Sequence, residues 1–181
     1  MVGKDPVPLA PKEQMDLHRR FGWSRDGRGQ LSAALRAPVE AFRSWAFDSS
    51  DATMRAYNLD IPGCRPNVDY NPQSRAVVND CRDAFRHAYW NALMAQRDEG
   101  KAAMLADAYE RANPNDYKEH FMDLYNNRKG RRIGAANRLA TPAELSDAVA
   151  RALANGELIS NIDKMAPFVN ALQRRRMRTR P

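Results

Sequence analysis

The sequence predicts an all-α fold, a compact multi-helix domain with an irregular loop over 58–78 and no significant sheet. Apolar residues recur at spacings of three and four along most of the chain, and residues that start and stop helices fall at the ends of those stretches. The only β-leaning scraps, Ala76 to Val78 and Leu158-Ile159, are too short to bury a sheet.

Residues 1–12 hold Pro6, Pro8 and Pro11 without a periodic apolar pattern and read as a flexible leader or linker. Residues 13–78 read as short helices and a loop packing on the core. The helices are Lys12 to Phe21, Gln30 to Ala37 stopped by Pro38, Val39 to Phe47, and a turn or two from Asp51 to Tyr57. Leu31, Leu35, Val39, Phe42, Trp45 and Ala46 recur at helical spacing and are expected to pack inward. Pro62, Gly63, Pro66, Asn71 and Pro72 then mark the loop.

Residues 79–181 form the main helical domain. Its first helix runs from about Asn79, a capping residue, to Arg97, with Asp80 and Asp83 in the first turn and Gly100 past its end. A second runs from Lys101 to Ala112, ahead of Asn113-Pro114, and a third from Asp116 to about Arg132, followed by a turn at Gly134. Thr141-Pro142 with Glu144 starts a fourth that Asn155-Gly156 ends. A last stretch, Ser160 to Arg178, runs into the basic tail 173–181.

The 181 residues fit one domain, or, as preferred here, a domain of about 110 residues with an N-terminal extension. With 43% apolar and 28% charged residues, neither a disordered nor a fibrous chain is indicated. No transmembrane segment and no conventional signal peptide is legible, so secretion would need another route; otherwise the chain is cytoplasmic. A net charge of +7 favours an anionic substrate or surface, be it nucleic acid, lipid or wall polymer. Arg174, Arg175, Arg176, Arg178 and Arg180 supply much of that excess, either as a binding patch or as the solvated end of the last helix. Cys64 and Cys81 lack the spacing of a zinc finger; they form one disulfide in an oxidising compartment or stay thiols in a reducing one.

On the helix 79–97, Asp83, His87, Trp90, Asn91 and Met94 share a stripe. An imidazole titrates near neutrality, and a carboxylate one turn away can fix its tautomer, as a general base requires; a buried, satisfied histidine has the same spacing. Asp107 and Glu110 lie one turn apart on the next helix, suited to dividing acid and base roles, to binding a divalent cation, or simply to an exposed helix face. Asp123, Asn126, Asn127 and Gly130 fall on one face of the third, where a glycine costs roughly 1 kcal/mol against alanine. Either a close helix crossing at Gly130, with the amides hydrogen-bonding across a buried polar cluster, or a polar pocket facing His87 would compensate. The run Arg128, Lys129, Arg131, Arg132 suits the C-terminal end of that helix.

In order, DAFRHAYWNAL, ADAYE, MDLYNNRKGRRIG and ELSDAVARALANGELI resemble a helical domain of unassigned activity from the C-terminal, toxin-bearing ends of bacterial secreted effectors, Rhs-type proteins among them. That family's pattern runs RHxxW, DAHE, MDxxNNxxG and a closing GxL, and the resemblance covers 79–159. By position, Arg86, His87, Trp90, Asp107, Glu110, Asp123, Asn126, Asn127 and Gly130 correspond. The histidine of DAHE is Tyr109 here, which favours a dyad of His87 with an acid over a two-histidine metal site.

The resemblance implies an antibacterial toxin, delivered to a target cell by a bacterial secretion system and matched by an immunity protein. The expected activity is a hydrolase on a cell-envelope target, phospholipid or peptidoglycan. His87 would be the base, Asp83, Asp107 or Glu110 acid partners, Asn126 and Asn127 donors, and Arg86, Trp90, Asn91 and Asp123 the substrate-binding surround. A nuclease toxin or a non-enzymatic basic module binding nucleic acid or protein are the alternatives. The sequence specifies no metal or cofactor.

Overall fold

The computed structural model describes residues 28–58, 60, 64, 80–112 and 117–161, and among them all regular structure is helical. In chain order the elements are α1 (Arg28–Arg36), α2 (Pro38–Arg43), a π-helical turn (Ser44–Asp48), α3 (Ser49–Asn58), α4 (Cys81–Arg97), α5 (Glu99–Ala112), α6 (Tyr117–Ala136) and α7 (Pro142–Ala154). The leader, the helix expected before Phe21, most of the loop, the last helix and the basic tail lie outside the described residues.

The axis of the molecule is α4, buried on nearly every side by α3, α5, α6 and α7. A helix so placed must be apolar almost all round or satisfy its polar groups internally; α4, which buries Asp83, His87 and Asn91, takes the second course. Phe85 and Tyr89 stack at 5.5 Å within the core, each fully buried aromatic contributing about 1.5–3 kcal/mol of transfer free energy. The Tyr89 hydroxyl donates to Asp51 and to the Pro142 carbonyl at 3.0 Å, so its polar tip is satisfied between α3 and α7.

Several boundaries differ from the sequence expectation. The N-cap of α4 is Asp80 rather than Asn79: its carboxylate accepts from the backbone N–H of Arg82 at 2.8 Å and of Asp83 at 3.0 Å. At the other end Asp98 takes an extended backbone that breaks the helix, and its side chain accepts from the Lys101 N–H at 3.0 Å. Asp98 therefore caps α5, and Gly100 lies inside that helix instead of ending α4. Thr141 and Glu144 form the expected capping box of α7.

The larger correction concerns 28–58. Leu35, Val39, Phe42 and Trp45 are exposed, at 73%, 73%, 62% and 79%, where inward packing was expected. The buried face of these short helices is made instead of Ala33, Ala37, Ala52 and Ala56, which lets α1 approach α5 and α3 approach α4 closely. The two apolar stripes share the same period, and the small-residue stripe is the one that turns inward. Polar ties fasten this layer: Ser44 accepts from the Trp90 indole at 2.9 Å, Asp48 pairs with Arg97, and Glu40 with Lys101.

Gly134 does not form a turn; it continues α6, and with Gly130 lets that helix lie directly on the backbone of α4. A Cβ on Gly130 would lie 1.9 Å from the Ala88 carbonyl oxygen, and one on Gly134 would lie 2.2 Å from that of Ala92. Glycines one turn apart on α6 thus sit on alanines one turn apart on α4. The basic run Arg128 to Arg132 is consequently in mid-helix. Asn126 secures the chain after α7, donating to the Ile159 carbonyl at 3.0 Å and accepting from its N–H at 2.9 Å.

Cys64 and Cys81 are joined by a disulfide with a Cα–Cα distance of 5.7 Å, closing a loop onto the first residue of α4. Opening it with Cys64→Ser should lower the unfolding free energy by about 2–3 kcal/mol in urea titrations, as for a loop of this length. Gly130→Ala should cost about 3 kcal/mol or more by the same measurement, because the methyl group meets backbone that cannot yield without separating the two helices.

Candidate functional site

The crossing of α4 and α6 brings Asp83, Arg86, His87 and Asn91 against Asp123 and Asn127, and Glu110 of α5 closes the group from the side. Asp83, His87, Asn91, Glu110, Asp123 and Asn127 are all buried. Burial on this scale demands internal partners.

Directionality settles most of the hydrogen bonds. The Arg86 guanidinium has only donors, and its Nη2 lies 2.8 Å from His87 Nε2, so Nε2 accepts. The ring proton is then on Nδ1 and is donated to Asn127 Oδ1 at 3.2 Å. That oxygen also accepts from Asn91 Nδ2 at 2.7 Å, while Asn127 Nδ2 donates to Glu110 at 2.9 Å. Asn91 accepts in turn from Arg131 at 3.1 Å. His87 is thus a neutral imidazole whose Nε2 lone pair faces Arg86, with Asp83 at 3.6 Å and Asp123 at 3.3 Å.

The titration of these groups follows from their surroundings. Burial, reinforced by Arg86, lowers His87 to about 4, in agreement with the neutral tautomer. Burial raises Glu110 to about 7 against the opposing hydrogen bond from Asn127. Asp123 is pushed up to about 9 by burial and then by the charges of Glu110 and Asp83. Its Oδ1 is buried without a hydrogen-bond partner.

The sequence-predicted residues separate into those that meet and those that do not. Asp83, Arg86, His87, Asn91, Glu110, Asp123 and Asn127 form one cluster. Asn126 faces Ile159 instead, and Asp107 sits at the rim, 40% exposed, paired with Arg131 at 3.4 Å. Trp90 points the other way, donating to Ser44 and meeting Tyr109 edge to face at 5.4 Å.

Trp90 and Tyr109 form one wall of a cleft of about 860 Å³ whose other wall is Leu35, Phe42 and Trp45, with Arg86 also lining it. Arg86 therefore belongs to both the cleft and the cluster, and 29% of its side chain is exposed. Sequence reasoning missed Arg131 as a cluster donor and the cleft wall from 28–58; the alanine stripe Ala33, Ala37 was the signal that the large residues of that segment face outward.

The family model described as a domain of unknown function (DUF6973) matches residues 64–157. No curated protein and no solved structure matches the chain.

The raised Asp123 pKa has a measurable consequence. Folding favours the protonated carboxyl, a contribution fully present below the unfolded value near 4 and lost as pH climbs through about 9. Near pH 7 Glu110, raised to about 7, contributes to the same decline, and toward pH 9 Asp123 becomes its main source. Urea stability should fall across this window, by up to about 1.4 kcal/mol per pH unit, and Asp123→Asn should flatten the decline.

Proposed function

The chain belongs to the DUF6973 family, and we propose that it is an antibacterial effector hydrolase of the cell envelope, acting on phospholipid. The observation that carries this reading is the continuity of the apolar cleft with the polar cluster through Arg86. An amphipathic substrate needs both halves of that arrangement. Acyl chains suit the walls of Leu35, Phe42, Trp45 and Trp90, and an anionic headgroup suits the guanidinium at their border.

In this reading Arg86 leaves His87 for the headgroup, and the freed Nε2 lone pair takes a proton from the water attacking the ester carbonyl and returns it to the departing alkoxide as the ester C–O bond breaks. Asn127 and Glu110 keep the other ring proton on Nδ1 and so hold the imidazole in the basic tautomer. Asn91 and Arg131 hold Asn127 and its neighbours in place rather than touching substrate. An apolar cleft favours lipid over the polyanionic backbone that a nuclease would grip. The disulfide supports a working place in an oxidising compartment such as the periplasm, reached by delivery from another cell, with an immunity protein guarding the producer.

The protein should inhibit growth when exported to the periplasm of a test bacterium, deplete membrane phospholipid by mass spectrometry, and spare cells that retain it in the cytosol. His87→Ala should abolish both effects with an unchanged circular dichroism spectrum. The double variant Phe42→Ala/Trp45→Ala, at two exposed positions, should raise KM on phospholipid vesicles at least tenfold while kcat changes little. Full toxicity of His87→Ala, or cytosolic killing without lipid loss, would refute the reading.

A further inference from the structure

We propose that Asp83, His87 and Asp123 form a binding site for a divalent transition-metal ion, Zn²⁺ foremost, between α4 and α6. His87 Nε2 lies 3.6 Å from Asp83 Oδ1 and 3.3 Å from Asp123 Oδ1, and one ligand atom from each residue falls within 4.8 Å of the others. Metal bonds of about 2.0–2.2 Å set ligand-to-ligand edges of about 3.0–3.6 Å, so both histidine distances suit a shared ion without backbone movement.

Asp123 supplies the independent observation. Its residue is 3% exposed, and its Oδ1, buried without a hydrogen-bond partner, lies 3.3 Å from His87 Nε2. An unsatisfied buried carboxyl oxygen this close to an imidazole nitrogen is an arrangement that a shared cation would satisfy once Arg86 has turned away. The tautomer is already the one a metal requires: Nδ1–H is held by Asn127, with the Glu110 carboxylate 3.5 Å behind the ring. A carboxylate or amide behind a ligating imidazole is the usual way its orientation is set.

Arg86 marks where positive charge is already wanted. Its Nη2 sits 2.5 Å from Asp83 and 2.8 Å from His87, so it and the ion compete for the same two ligands. Three carboxylates, Asp83, Glu110 and Asp123, share this one guanidinium. Since Arg86 also lines the cleft, it can turn outward and yield its place. One imidazole and two carboxylates suit Zn²⁺ or Mn²⁺ better than Mg²⁺, which prefers an all-oxygen shell. Held by Asp83, His87 and Asp123, such an ion would supply Lewis-acid activation of a water, and His87 Nε2 would then serve as a ligand and not as the general base.

The test is calorimetric titration of the chelator-treated full chain with Zn²⁺, and with Mg²⁺ as control. One Zn²⁺ per chain is expected, with Mg²⁺ at least tenfold weaker. Asp123→Asn and His87→Gln should each lower Zn²⁺ affinity at least tenfold, and Arg86→Ala, which removes the competitor, should raise it. No Zn²⁺ binding, or binding unchanged in Asp123→Asn and His87→Gln, overturns the site. Should those two variants not fold, Arg86→Ala decides alone, and an affinity equal to or below that of the parent overturns it. The site shares residues with the hydrolytic reading but is measured without substrate. Lipid hydrolysis by a chain that binds no metal would remove this inference only, and metal binding by a chain inert to lipid would remove the other.

Discussion

Two glycines one turn apart, laid on the carbonyls of Ala88 and Ala92, set the distance between α4 and α6, and the polar cluster exists at that distance only. A methyl group at either position would push the helices apart by more than a hydrogen bond can stretch. His87 would then lose Asn127, Asn91 would lose it too, and Asp123 would move away from the imidazole. The helix-propensity cost of Gly130 and Gly134, roughly 1 kcal/mol each, is offset by what the crossing lets the side chains do.

The crossing also accounts for why so many polar groups tolerate burial. Asn127 is the hub: its oxygen takes two donors and its nitrogen serves Glu110, so one amide satisfies three neighbours of different chemistry. No apolar side chain could replace it, and neither could aspartate, which would bring a fourth carboxylate into the group. The asparagine beside it does unrelated work at Ile159, although the two look alike in the sequence.

Much of this was legible before the structure. Helical period and caps placed α4, α5, α6 and α7 to within a few residues, and of the face shared by Asp123, Asn126, Asn127 and Gly130 all but Asn126, which bonds Ile159, lie at the crossing with α4. Of the two alternatives, the structure shows the close crossing at Gly130 with amides bonding across a buried polar cluster; of that cluster Arg86 alone lines the cleft described above. What period could not give was the choice between two stripes on one helix. Leu35, Phe42 and Trp45 have the spacing of a core, as do Ala33 and Ala37, and only the closeness of α5 decides that the small set turns in. Nor could spacing show that Asp98 both ends one helix and caps the next, or that Arg86 would lie across the imidazole; those depend on backbone dihedrals and on directions in space.

The alanine-faced attachment of residues 28–58 carries a consequence of its own. Alanine buries little area, so this layer gains less from water expulsion than its size suggests and leans on Asp48 with Arg97 and Glu40 with Lys101. Lys101 is well exposed and its pair is screened as ionic strength rises. The outer wall of the cleft is therefore held by ties of two kinds, of which the exposed pair of Glu40 with Lys101 is the one that added salt weakens first.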